Sequence, residues 1–103
     1  MKEWLIQISY TKEGLLVNEK AHINFKSVNA EINAIEERIN QVLDTNNEVS
    51  ICIEWLGNIE HTIKVDFSGG KAHIYNDETT VRHVTSEEAR RILGNSFLQM
   101  KRK

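Results

Sequence analysis

The residues able to do chemistry in this chain are few and far apart. There are four histidines (His22, His61, His73 and His83), a single cysteine, Cys52, and carboxylates spread over strand-like runs. No histidine has a second histidine or a cysteine at a ligand spacing such as H-x₃-H or C-x₂-C, so neither a metal site nor a cofactor is expected. His73 has one specific neighbour. If Gly69-Gly70 forms a two-residue hairpin turn, His73 stands directly opposite Asp66 on the outward face, and a His–Asp pair is part of many acid–base sites. Ser50 and Cys52 share that face on the preceding strand. Neither has a nucleophile elbow, a helix start or a glycine-rich loop beside it. Glu54, the nearest same-face neighbour of Cys52, opposes thiolate formation. A cross-strand ion pair accounts for Asp66 and His73 without catalysis. The expectation is therefore a chain that is not an enzyme.

These residues are positioned by strands. Val49, Ile51, Ile53 and Trp55 alternate with Ser50, Cys52 and Glu54. Ile59, Ile63, Val65 and Phe67 share one parity and Glu60, Lys64 and Asp66 the other, and Ala72 and Ile74 follow the paired glycines. Period-two alternation of this kind marks half-buried antiparallel strands. A Gly69-Gly70 turn pairs Val65 with Ile74 and Phe67 with Ala72. The turn around Leu56-Gly57-Asn58-Ile59 needs three residues or a bulge to keep the faces in step. Upstream, Trp4, Ile6, Ile8 and Tyr10 form one run, and Leu15, Val17, Ala21, Ile23 and Phe25 another, joined through Glu13-Gly14 by an even-length loop. Glu19 breaks the apolar parity of the second run, which implies either a bulge or an edge strand. Val81 to Val84 read as a short further edge strand.

Two helical patterns complete the chain. Val28, Ile32, Ile35, Ile39 and Val42 recur at spacings of four and three, with Ser27 as the expected cap and Glu36, Glu37 and Asp44 on the far side. Thr85-Ser86-Glu87-Glu88 is a capping box. Ala89, Ile92, Leu93, Phe97 and Met100 then supply an apolar face, while Gly94 either weakens the helix or ends its first half. The order is β-β-α-β-β-β-(β)-α, an α+β fold with an antiparallel sheet and two amphipathic helices packed on it, in one domain over 1–103. Lys101, Arg102 and Lys103 read as a frayed basic tail.

Composition narrows the function classes. The chain has 103 residues, 40% of them hydrophobic and 27% charged, which suits one globular domain. No apolar run approaches the roughly 18 residues that a membrane span needs. Met1-Lys2-Glu3-Trp4 has no apolar h-region, so no secretory signal is expected, and the lone cysteine excludes an internal disulfide, so a cytoplasmic setting is expected. Proline is absent, and the abundance of Asn, Ile, Lys and Glu hints at a bacterial or phage source. The net charge of −2 hides an asymmetry: residues 1–81 hold seven basic and thirteen acidic groups, and residues 82–103 six basic and two acidic.

Two binding functions follow from that asymmetry. The acidic body, with Glu36, Glu37, Glu54, Glu60 and Asp66 as candidate contacts, suits a small protein that covers a basic partner. Inhibitors and toxin-immunity proteins act in this way, through charge complementarity that speeds encounter. The basic C-terminal helix, with Arg90, Arg91, Lys101, Arg102 and Lys103, suits nucleic acid as the alternative. Residues 28–100 run α-β-β-β-α, a layout similar to that of double-stranded RNA-binding domains. That resemblance implies RNA binding. The loop bearing proline and histidine between that family's first strands is absent here, and Glu87-Glu88 stands where its second helix begins with lysines. Protein is the preferred partner, and a homodimer through an edge strand is compatible with either reading.

Overall fold

A computed structural model of the chain describes residues 3–56, 62–75 and 81–101. The elements run β1 (Trp4–Lys12), β2 (Leu15–Ile23), α1 (Asn29–Thr45), β3 (Glu48–Trp55), β4 (Thr62–Ser68), β5 (Lys71–Tyr75), β6 (Val81–Thr85) and α2 (Ser86–Met100). The strands form one antiparallel sheet in the spatial order β2-β1-β3-β4-β5-β6. The α+β class expected from the pattern is the class observed.

Alternation decides which face is buried. Ile6, Ile8 and Tyr10 of β1, Val49, Ile51 and Ile53 of β3, Val65 and Phe67 of β4, and Ala72 and Ile74 of β5 all join one apolar cluster. Ile32, Ile39, Val42 and Leu43 from α1 and Ala89, Leu93, Phe97 and Met100 from α2 close it. Both helices therefore lie on the same side of the sheet. Removing these side chains from water is the main force holding the two layers together.

The hairpins are set by their turns. Lys12 pairs with Leu15 and Trp4 with Ile23, so Glu13-Gly14 is a two-residue turn. Both of its residues have positive φ, 52° and 79°, the conformation a type I′ turn requires. Gly69-Gly70 is also a two-residue turn, and it produces the expected pairs Val65–Ile74 and Phe67–Ala72. Ile53 pairs with Ile63 and Glu54 with Thr62. That register demands an odd-length connection, in keeping with the expected parity. The Leu56-Gly57-Asn58-Ile59 turn itself, with Glu60 and His61, lies mostly outside the described residues.

Three local expectations need correction or a choice. Ser27 is not the helix cap. Val28 holds that position without a side-chain cap bond, while Ser27 is buried and its hydroxyl accepts from the Asn24 amide at 3.0 Å. Ser27 thus closes the loop before the helix, and Val28, expected in the apolar seam, is exposed. The β2 strand has no bulge, and Glu19 is tolerated because β2 is an edge; the strand ends at Ile23, so Phe25 falls in the following loop and is exposed rather than part of the apolar run. Gly94 does not end α2, which continues to Met100. Thr85 caps α2 as expected, its hydroxyl accepting from the Glu88 amide at 3.1 Å. Among the described residues no helix is long and apolar enough to cross a membrane.

Candidate functional site

With both helices on one face, the other face of the sheet carries no helix among the described residues. Strand register arranges its side chains in rows. One row crosses all six strands: Asn18, Ser9, Ser50, Asp66, His73 and His83. A second holds Lys20, Gln7, Cys52, Lys64 and Tyr75, and a third His22, Leu5, Glu54 and Thr62. Its central residues, Leu5, Gln7, Ser9, Ser50, Cys52, Glu54, Asp66, His73 and Tyr75, are half-buried by one another.

The first row is joined by direct contacts. The Ser50 hydroxyl donates to Asp66 Oδ1 at 2.7 Å. Asp66 stands opposite His73 as expected, and the His73 ring meets the His83 ring edge-to-face with centroids 4.5 Å apart. Lys64 Nζ lies 4.0 Å from Asp66 Oδ2 and 5.7 Å from the centre of the Tyr75 ring. The order along the row is hydroxyl, carboxylate, imidazole. An activated serine needs the imidazole in the middle, to take the hydroxyl proton. Here the carboxylate binds Ser50 and the imidazoles lie beyond it. Burial pushes the Cys52 thiol up, and the Glu54 charge adds to the rise against the opposing pull of Lys64. The thiol is therefore a poor nucleophile. No group of three or more His, Cys, Asp or Glu converges to hold a metal among the described residues.

The acidic candidates do not form one patch. Glu54 and Asp66 lie on the uncovered sheet face, whereas Glu36 and Glu37 belong to α1 on the other side. Glu36 is engaged: Lys101 Nζ donates to its Oε1 at 3.3 Å, so Lys101 is tied down rather than part of a loose tail. Glu37 is exposed, and Glu60 lies outside the described residues. Of the basic candidates, Arg90 donates to Asp44 Oδ1 at 2.9 Å and Arg91 is exposed. Arg102 and Lys103 lie outside the described residues.

One cluster went unforeseen. Glu19 faces the helix side of β2. It receives the Tyr10 hydroxyl at 2.5 Å and, from Arg38 of α1, Nε at 2.9 Å and Nη2 at 2.7 Å. The two Arg38 bonds, then the Tyr10 hydroxyl, hold the Glu19 carboxyl at about 2 against an ordinary 4.5. The same Glu19 bond raises Tyr10 and Arg38. The polarity break at Glu19 was the signal in the sequence, and it named no partner. Beside the cluster an open groove of about 230 Å³ runs between β2 and α1, lined by Ile8, Ala21, Ala34 and Ile35 among others. No protein-family model, curated protein or solved structure matches the chain.

Proposed function

We propose that this chain is a small, non-enzymatic protein-binding module, of the inhibitor or immunity type, that takes its partner on the uncovered face of the sheet. The observation that carries the reading is the placement of both helices on one side. The opposite face keeps a centre of half-buried polar and apolar groups over the four strands β1, β3, β4 and β5. Mixed faces of this kind suit recognition, with Leu5 and Tyr75 offering contact area and Glu54 and Asp66 offering charge to a basic partner. Within the acidic set, the weight falls on Glu54 and Asp66, because these two share the uncovered face, whereas Glu36 and Glu37 belong to α1 on the other side. A cytoplasmic setting, in a bacterial or phage context, suits the single thiol and the composition.

The nucleic-acid reading is weaker on the same geometry. Two of its three described cations, Arg90 and Lys101, are paired with carboxylates of α1, which leaves little positive field for phosphates.

The test is capture of tagged protein from its source lysate with and without nuclease, repeated with Glu54→Lys/Asp66→Lys and with Glu37→Lys. The proposal predicts a nuclease-resistant protein partner that is lost with the sheet-face pair and retained with Glu37→Lys. Loss of the captured material to nuclease, or retention by the sheet-face variant, would overturn it.

A further inference from the structure

The two edges of the sheet are built differently. The β6 edge is only five residues long, and a short edge offers little to strand addition. The β2 edge is nine residues long, unbulged and without proline, and begins with Leu15 and Leu16, which are 72% and 77% exposed. In the Glu13-Gly14 turn the Leu15 amide closes onto Lys12. Odd-numbered residues of β2 therefore bond to β1, and the backbone groups of Leu16, Asn18, Lys20 and His22 point outward from the sheet. Among the described residues no strand pairs with them.

We infer that β2 pairs antiparallel with β2 of a second copy about a two-fold axis at Asn18, joining two sheets into one of twelve strands. Charge selects this register. Only even-numbered residues offer outward backbone groups, so the axis falls at Asn18, Glu19 or Lys20 when the two strands overlap well. An axis at Lys20 sets lysine against lysine, and one at Glu19 sets carboxylate against carboxylate, each destabilising. An axis at Asn18 opposes no like charges: Asn18 meets Asn18, Leu16 meets Lys20, and Val17 meets Glu19. Inward-pointing charge on an edge strand usually deters pairing. Here Glu19 is held by Arg38 and the Tyr10 hydroxyl of its own chain rather than left without a partner.

Shape supports the same register. Leu15 lies on the helix side and, with the axis at Asn18, falls opposite Ala21 of the second copy. There the groove between β2 and α1, with Ala21, Ala34 and Ile35 on its walls and Glu19, Lys20 and Arg38 beside them, is open to receive it. The symmetry seats both leucines at once, so the exposed tip of each hairpin fills the groove of the other. The interface uses the edge and leaves the uncovered sheet face accessible, so it is independent of the protein-binding proposal.

Analytical ultracentrifugation over a wide concentration range tests this. The expected result is a species of twice the 11.9 kDa chain mass. Asn18→Pro removes an outward amide, and Leu15→Ala empties the groove; each should return the monomer without loss of the folded circular-dichroism spectrum. In a Cys52→Ser background, Asn18→Cys should oxidise to a covalent dimer faster than Lys20→Cys. A monomer at millimolar concentration, a dimer indifferent to Leu15→Ala, or faster coupling of Lys20→Cys would overturn the inference. So would β2 amides protected from exchange only when a different protein is bound.

Discussion

Replacing Glu19 by glutamine removes one charge from the edge of the core while keeping an oxygen for the Tyr10 hydroxyl. The size of the effect can be worked from the site. Lowering the carboxyl from 4.5 to about 2 would, if fully realised as linkage, contribute about 3 kcal/mol. The paired side chains of Arg38 and Glu19 are 46% and 31% exposed, however. Solvent screening at such a site brings the expected loss to about 1 kcal/mol at neutral pH. That corresponds to about 4–5 °C in melting temperature for a domain of this size. The sign with pH follows from the direction of the shift. A carboxyl that is lower in the folded state contributes stability that is fully present above 4.5 and lost as pH falls toward 2. Urea unfolding of the wild type and Glu19→Gln should therefore show a gap that is constant from pH 7 to about 5 and closes between 4.5 and 2. Glu37→Gln, on the exposed side of α1, should track the wild type throughout. A gap that persists unchanged to pH 2 would show that Glu19 acts through packing and not through its charge. No gap at pH 7 would show that the Arg38 pair contributes nothing to stability.

Three further substitutions test how the elements are built, each by thermal or urea unfolding. Gly94→Ala should stabilise α2 by about 0.5–1 kcal/mol, because a Cβ there meets only Glu36 Oε2, at 3.6 Å, and the backbone is helical; destabilisation would mean that α1 and α2 pack more tightly there than described. Thr85→Ala should cost about 1 kcal/mol through loss of the bond from the Glu88 amide, and Thr85→Ser should restore most of it. Glu13→Asn should stabilise the first hairpin by about 0.5 kcal/mol, since asparagine accepts positive φ more readily than glutamate; an unchanged midpoint would argue against the type I′ turn.

The parts of the fold that were legible depend on neighbours in the chain. Alternation from Val49 to Trp55 and from Ile63 to Phe67 identifies strands because one face must leave water. The paired glycines then set Asp66 against His73 by turn length alone. What could not be read depends on distant contacts. Arg38 reaches Glu19 only because α1 folds back beside β2, and no local pattern reports that approach. His83 meets His73 because Tyr75 pairs with Val81, a cross-strand register that no local pattern names. The candidate acidic surface divided for the same reason. Glu36 and Glu37 were placed on their helix correctly, but which side of the sheet that helix covers is a three-dimensional fact. Ser27 stands one residue before the cap because its hydroxyl serves the Asn24 turn, a local bond that competes with capping.

Cys52 offers a direct probe of the proposed interface. It lies in the middle of the uncovered face, half-buried, and is the chain's only thiol. The measurement is its alkylation rate in the free protein and in the complex with the captured partner, at one pH and with folding verified. Binding on the sheet face predicts slow but measurable labelling when free and near-complete protection when bound. Equal rates in the two states would place the partner elsewhere and contradict the account.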